Sequence, residues 1–369
     1  YTPIDKMVAW ANHPTDHRPV IWCEYAHAMG NSLGNFYKFW DAIRANKRMI
    51  GAFIWDWTDQ GILQTDENGT KYWAYGGDFG DKINSGNFCI NGVIASDQTA
   101  KPVTWEVKKI QQPVEIKGMG TMLKRGNITV TNWHHFADLS IYDISWELEQ
   151  NGKIIQQGSL DPLATKPSKT ERISIPFEKP ELKAGAEYFL KVIFKTNKDN
   201  SWAKKGHTVA WEQFKMPFET ASAKIADLSE LGNVNVNEDG PSVVVSGNGF
   251  EVSITKENGL LSSYKLNGNE IIVSPLVPNF WRAPIDNDNG GGMPRRQGIW
   301  KKAAEKRTVS RVTAKQVNDK VVKVAVEMSL DNINSNLSTS YTIYGNGEVI
   351  VNYDFIAGGG LPNILSLIH

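Results

Sequence analysis

From Arg18 to Glu24 the chain reads Arg-Pro-Val-Ile-Trp-Cys-Glu, apolar from the proline onward until a carboxylate ends the run. A strand with one wet face alternates, so an unbroken run predicts a parallel strand covered on both faces. After a Gly/Asn-rich turn, Ser32 is placed to cap a helix whose Leu33, Phe36, Phe39, Trp40 and Ile43 recur at helical spacing as far as about Lys47. Met49 to Trp57 then forms a second apolar run. Strand, helix, strand in this order is the right-handed unit of α/β proteins. Glu24 and the cluster Trp55-Asp56-Trp57 fall at the two strand ends, on the rim where barrel enzymes place their chemistry. Residues 1–112 supply fewer strands than a closed barrel needs, so they read as the C-terminal portion of a TIM (β/α)8 barrel.

Beyond Pro113 the texture changes. Asn127-Ile-Thr-Val-Thr-Asn, Ile141 to Leu148, Arg172 to Phe177 and Tyr188 to Lys195 alternate apolar with polar. That pattern predicts an antiparallel, immunoglobulin-like β-sandwich over 113–220. A polar connector is expected over 221–240. From 241 to 369 more alternating strands and turns such as Asn346-Gly347 predict a second, larger and incomplete β-sandwich. Leu361 to His369 read as a strand just starting, and the opening at Tyr1 reads as internal, so the chain is expected to be a piece of a longer protein.

Lys plus Arg and Asp plus Glu both number 40, which gives no basic field to attract nucleic acid or anionic lipid. No nucleic-acid partner is expected. Nothing is long and apolar enough to span a bilayer, and no signal pattern opens the chain, so no membrane partner is expected and cytoplasm and periplasm both stay open. Cys23 and Cys89 are too few for a disulfide framework. There is no Cys/His cluster at zinc spacing, and the adjacent His134 and His135 would point to opposite sides of a strand.

Glycosidic bonds are broken by two carboxyl groups flanking the anomeric carbon. Glu24, held below by a strand and open above, suits one of them, although strand-end glutamates also serve as ion-pair or capping partners. His27, on the loop that follows, could hydrogen-bond a sugar hydroxyl. Trp55 could offer an indole face to a pyranose ring, and thirteen tryptophans with clusters beside acids favour such a site. Tyr75-Gly-Gly-Asp-Phe-Gly-Asp81 is glycine-rich but lacks the Gly-Lys-Ser/Thr of a phosphate loop, and Asp78 and Asp81 read as turn residues.

The stretch Cys23-Glu-Tyr-Ala-His-Ala-Met-Gly-Asn-Ser32 resembles the nucleophile signature of the glycoside hydrolase family 2 β-galactosidases. The likeness continues through Gly51-Ala-Phe-Ile-Trp-Asp-Trp-Thr-Asp-Gln60, Tyr75 to Asp81 and Phe88-Cys-Ile-Asn-Gly92. It then extends to Gly206-His-Thr-Val-Ala-Trp-Glu-Gln-Phe214 and Trp281-Arg-Ala-Pro-Ile-Asp-Asn-Asp288. The resemblance implies that Glu24 is the nucleophile of a retaining β-D-galactosidase acting on lactose-like β-galactosides, with His27 and Trp55 contacting substrate. It implies that the Phe88 carbonyl and the Asn91 side-chain oxygen bind Na+, and that Asn84 lies near a Mg2+ site in a loop that diverges from the family. It also implies a homo-oligomeric whole enzyme and a C-terminal domain of the β-galactosidase small-chain type. The acid/base glutamate, the other magnesium ligands and the earlier barrel strands would all precede Tyr1, so the chain by itself is expected to be inactive. Two other readings are a β-glucuronidase or β-mannosidase, and a non-catalytic sandwich or sugar-binding scaffold.

Overall fold

The structure, a computed structural model, describes residues 1–221 and 228–364. It divides into two compact units, Tyr1–Lys224 and Ile225–His369. Part of the expected connector, 222–227, and the end of the expected last strand, 365–369, lie outside the described residues.

The first unit opens with α1 (Ile4–Ala11), β1 (Val20–Tyr25), α2 (Phe36–Ala45) and β2 (Met49–Ile54), and β1 pairs with β2 in parallel. Strand, helix and strand stand where the apolar periodicities put them. The helix start does not. Leu33 (φ 72°) and Asn35 (φ 61°) take the left-handed backbone region, so the chain is still turning there, and Ser32 makes no cap. Met7 and Ala11 of α1, Phe36 of α2 and Val107 of a later helix, α3 (Pro102–Ile110), pack with Trp22, Tyr25 and Met49 into one core.

That core covers one face of the strand pair. Ile21, Ile50 and Phe53 on the strands remain 46, 62 and 63 % exposed, so the expected cover on both faces is found on one only among the described residues. The unbroken apolar run records a demand for cover that these residues do not themselves meet.

After a short hairpin of β3 (Ile62–Thr65) and β4 (Lys71–Ala74), seven strands build the sandwich. These are β5 (Val114–Lys117), β6 (Asn127–Asn132), β7 (Tyr142–Gln150), β8 (Lys153–Leu160), β9 (Thr170–Ser174), β10 (Tyr188–Thr196) and β11 (Thr208–Lys215). They form sheets ordered β11-β10-β7-β8 and β5-β6-β9, antiparallel throughout. Their inward residues, among them Val130, Ile144, Trp146, Leu148, Leu190 and Phe194, form the common core. β9 stops short of the expected Phe177 because Pro176 has no N–H to give a ladder. His134 Nε2 lies 2.8 Å from the Tyr142 hydroxyl, and burial lowers the pKa of His134.

Within this unit the sandwich meets the barrel segment through aromatic and cationic groups. The Arg44 guanidinium lies 5.6 Å from the Trp40 ring centre and 5.4 Å from that of Trp133. It also donates to the carbonyls of Ile110 and Gln112 at 3.0 and 3.3 Å. Lys109 of α3 sits over the Trp211 ring and pairs with Glu212 at 3.0 Å, and the Gln112 side chain accepts the Trp211 N–H. The segment Gly206–Phe214 therefore serves as a docking strand.

The second unit contains two antiparallel meanders. One is β12 (Asn235–Asn237), β13 (Ser242–Gly247), β14 (Phe250–Thr255), β15 (Leu261–Leu266) and β16 (Asn269–Glu270). The other is β17 (Arg307–Asn318), β18 (Val321–Leu330), β19 (Ser335–Tyr344) and β20 (Val349–Ile356). Val243, Val245, Val252 and Ile254 share a core with Val322, Val324, Val326, Tyr341 and Trp300. The Asn346-Gly347 turn closes β19 onto β20, with Gly347 at φ 87° and its N–H on the Tyr344 carbonyl. In the segment Trp281–Asp288, Arg282 pairs with Asp288 at 2.7 Å, and Asp288 also accepts the Ile285 N–H. No helix among the described residues is long and apolar enough to cross a membrane.

Candidate active site

Glu24 is the fifth residue of the six in β1 and is half-buried. The buried Trp22 and Tyr25 on either side of it anchor the strand in the core, and Tyr25 accepts the Trp40 indole N–H at 3.1 Å. The turn after Glu24 is tied to the end of β2. Trp55 N–H donates to the Tyr25 carbonyl at 3.1 Å, and Ala28 N–H donates to the Trp55 carbonyl at 2.9 Å. Two backbone bonds thus hold Glu24, His27 and Trp55 on one rim. Trp55 is 38 % exposed there, so part of this large apolar residue is open to a ligand.

A third segment completes the rim. Asp56 N–H donates to the Asn91 carbonyl at 2.8 Å, Val93 N–H to the Asp56 carbonyl at 2.9 Å and Ile94 N–H to the Trp57 carbonyl at 3.0 Å. This ladder places Phe88 so that its ring centre is 5.9 Å from that of His27. The Tyr1 ring stands edge-on to that of His27, also at 5.9 Å. Tyr1 has no sequence signal that would place it at this rim: it is a single aromatic before Thr-Pro with no periodicity around it, and only the folded chain brings it here. The pKa of its phenol is pushed up to about 12, by partial burial first and then by the negative charges of Glu24 and Asp56. The hydroxyl is therefore neutral at ordinary pH. Asp56 is itself occupied, accepting the Trp57 N–H and, at 2.5 Å, the Gln60 amide.

The fit to metals differs between the two proposed ions. Asn91 is 1 % exposed. Its Nδ2 donates to the Phe88 carbonyl at 2.9 Å, while its Oδ1 is buried with no hydrogen-bond partner. A buried unpartnered oxygen beside a carbonyl with a second lone pair suits a hard monovalent cation. Asn84 is exposed, and both ends of its amide are used within its own loop: Nδ2 donates to the Asp81 carbonyl and Oδ1 accepts the Gly86 N–H. Asp78 and Asp81 likewise accept the N–H groups of Tyr75 and Gly77. By themselves these residues do not make a magnesium site: among the described residues no group of three or more His, Cys, Asp or Glu side chains could hold a metal. A cavity of about 430 Å³ lined by Trp10, His13, Asp16 and Arg48 lies at the N-terminal end of β1, away from Glu24.

Three family models match in succession. Residues 1–116 match the glycosyl hydrolases family 2 TIM barrel domain, 128–217 match β-galactosidase domain 4, and 246–365 match the β-galactosidase small chain. The chain belongs to the family 2 β-galactosidases. The β-galactosidase of Priestia megaterium is 37 % identical over 348 residues, covering 94 % of this chain and 33 % of that protein. Those of Psychromonas ingrahamii and Pseudoalteromonas haloplanktis are 40 and 37 % identical over 76 and 78 % of this chain, and 27 and 28 % of their own lengths. The chain thus spans about a third or less of these curated relatives. Its fold is the family's: the C-terminal part of the TIM barrel, an immunoglobulin-like domain and a small-chain domain.

Proposed function

We propose that this chain carries the nucleophile side of a retaining β-D-galactosidase site, acting on terminal β-galactose residues such as that of lactose. The observation that supports the reading is the backbone bonding between the ends of β1 and β2, which gives Glu24, His27 and Trp55 one rim, with the Tyr1 and Phe88 rings each 5.9 Å from that of His27. Glu24 attacks the anomeric carbon and expels the aglycone oxygen, which takes a proton from a second carboxyl group. Water activated by that same group then releases galactose with its configuration retained. Trp55 stacks on the apolar face of the sugar, and His27 holds a hydroxyl. Tyr1 keeps a neutral donor beside Glu24, restraining the carboxylate without competing for its charge.

Asp56 is unsuited to be the acid, because both of its oxygens are already engaged, one by the Trp57 N–H and the other by the Gln60 amide. The acid is assigned to residues outside these 369, and the much greater length of the relatives supports that assignment. The Phe88 carbonyl and Asn91 Oδ1 would hold Na+, whose positive charge seats a sugar hydroxyl. The match over 246–365 to the β-galactosidase small chain favours this substrate over a glucuronide or mannoside.

The test is covalent trapping. The full-length polypeptide is incubated with an activated 2-deoxy-2-fluoro-β-galactoside, and its peptides are read by mass spectrometry. Label on Glu24 is expected; label on another residue, or none on an active enzyme, overturns the assignment. The 369-residue chain by itself is expected not to turn over a nitrophenyl β-galactoside.

A further inference from the structure

Behind the turn that carries Phe88 and Asn91 lies an ion pair that the proposed chemistry does not use. Asp59 is 7 % exposed, and both of its oxygens lie 2.6 Å from Lys101 Nζ. The pair closes over a single residue. Asp59 Oδ1 accepts the Gly92 N–H at 2.8 Å, and Lys101 Nζ donates to the Gly92 carbonyl at 2.9 Å. Gly92 is thereby held at both of its polar groups by opposite charges, and it sits too close for any side chain. A Cβ there would lie 2.2 Å from the Asp59 nitrogen and 2.3 Å from the Thr58 carbonyl carbon. The residue held this way directly follows Asn91, whose carbonyl receives the Asp56 N–H beside Trp55.

We propose that Asp59 and Lys101 are positioning residues for the cation: their ion pair fixes Gly92, and through it the direction of the Asn91 amide oxygen and the Phe88 carbonyl. The inference rests on the sodium reading above and adds to it the groups that aim the two oxygens. A hard cation gains affinity when its oxygens are held at the required separation before it arrives, and groups behind the ligands supply that restraint. Lys101 and Asp59 suit the task because a buried, bidentate, charge-assisted pair is short and directional. They reach the turn through Gly92, Asp59 at its N–H and Lys101 at its carbonyl.

The readout is thermal stabilisation of the full-length polypeptide by NaCl against choline chloride at matched ionic strength. Lys101→Met leaves a buried carboxylate without its counter-charge, which endangers folding, so the double variant D59N/K101M, with neither charge, is measured beside it. Lys101→Arg is the third, retaining the charge on a planar fork that cannot meet Asp59 and the Gly92 carbonyl in the same way. The sodium concentration giving half-maximal stabilisation is expected to rise about tenfold or more in the double variant, and by less in Lys101→Arg, as for groups behind a metal's ligands. A merely structural pair would lower the melting temperature equally in both salts and leave that half-point in place. A sodium-responsive wild type with unshifted variants overturns the positioning role and spares the sodium reading. A wild type indifferent to sodium removes both.

Discussion

The barrel segment and the β-sandwich behind it treat the same raw material differently. In the sandwich, the apolar residues that alternate inward along β7 join a core shared by both sheets, and the residues between them are polar and less buried. In the β1–β2 pair, apolar residues point both ways. The helices cover one side, and Ile21, Ile50 and Phe53 leave the other bare. The sandwich covers its own strands; the strand pair bears the proposed nucleophile and has one face that the described residues leave bare. Alternation along a strand reports how many faces the described residues can themselves cover, and a continuous run marks where more is needed.

The contrast is open to breakage from both sides. In the full-length polypeptide, Glu24→Gln is expected to lower kcat on the order of 10⁴-fold with an unchanged melting temperature. A variant retaining more than a tenth of the rate would move the nucleophile out of β1. Trp146→Ala, deep in the sandwich, is expected to reverse the pattern. It should cost roughly 3–5 kcal/mol in chemical denaturation while leaving kcat intact below the transition, and a rate loss in the folded variant would show that the scaffold tunes the site. The 369-residue chain is expected to bind a hydrophobic fluorescent dye, and Ile50→Gln with Phe53→Gln should weaken that signal; an unchanged signal would locate the bare surface elsewhere.

The smallest effect concerns tyrosines. Burial pushes Tyr1, Tyr142 and Tyr341 up to about 12, joined at Tyr1 by the charges of Glu24 and Asp56 and at Tyr341 by Tyr353. Because their folded values lie above the ordinary value near 10, stability linked to them is intact below pH 10 and declines as pH rises from there toward 12. Ultraviolet titration of Glu24→Gln should show Tyr1 ionising at lower pH, since one of its negative neighbours is gone, while Tyr142 and Tyr341 stay put. Movement of all three together would deny that Glu24 acts on Tyr1 in particular.

What could be read in the sequence was whatever has a period or a run. β1, α2 and β2 announced themselves by unbroken or helically spaced apolar residues, and β6 by strict alternation. The start of α2 was hidden because Leu33 and Asn35 adopt left-handed backbone that no propensity predicts for leucine. In the site, Glu24, His27 and Trp55 stood out because each lies at or just beyond a strand end. Tyr1 and the pair Asp59–Lys101 did not, since neither carries a pattern. Asp59 and Lys101 are 42 residues apart and meet only once the chain from Trp57 has been laid against Asn91 to Ile94.

The guanidinium of Arg44, lodged between an indole from its own helix and one from the sandwich, makes the boundary near Pro113 a seam rather than a hinge. A protease given the native chain should pass over that seam, releasing the first two segments as a single piece. Evolution, too, would find it hard to exchange one without the other.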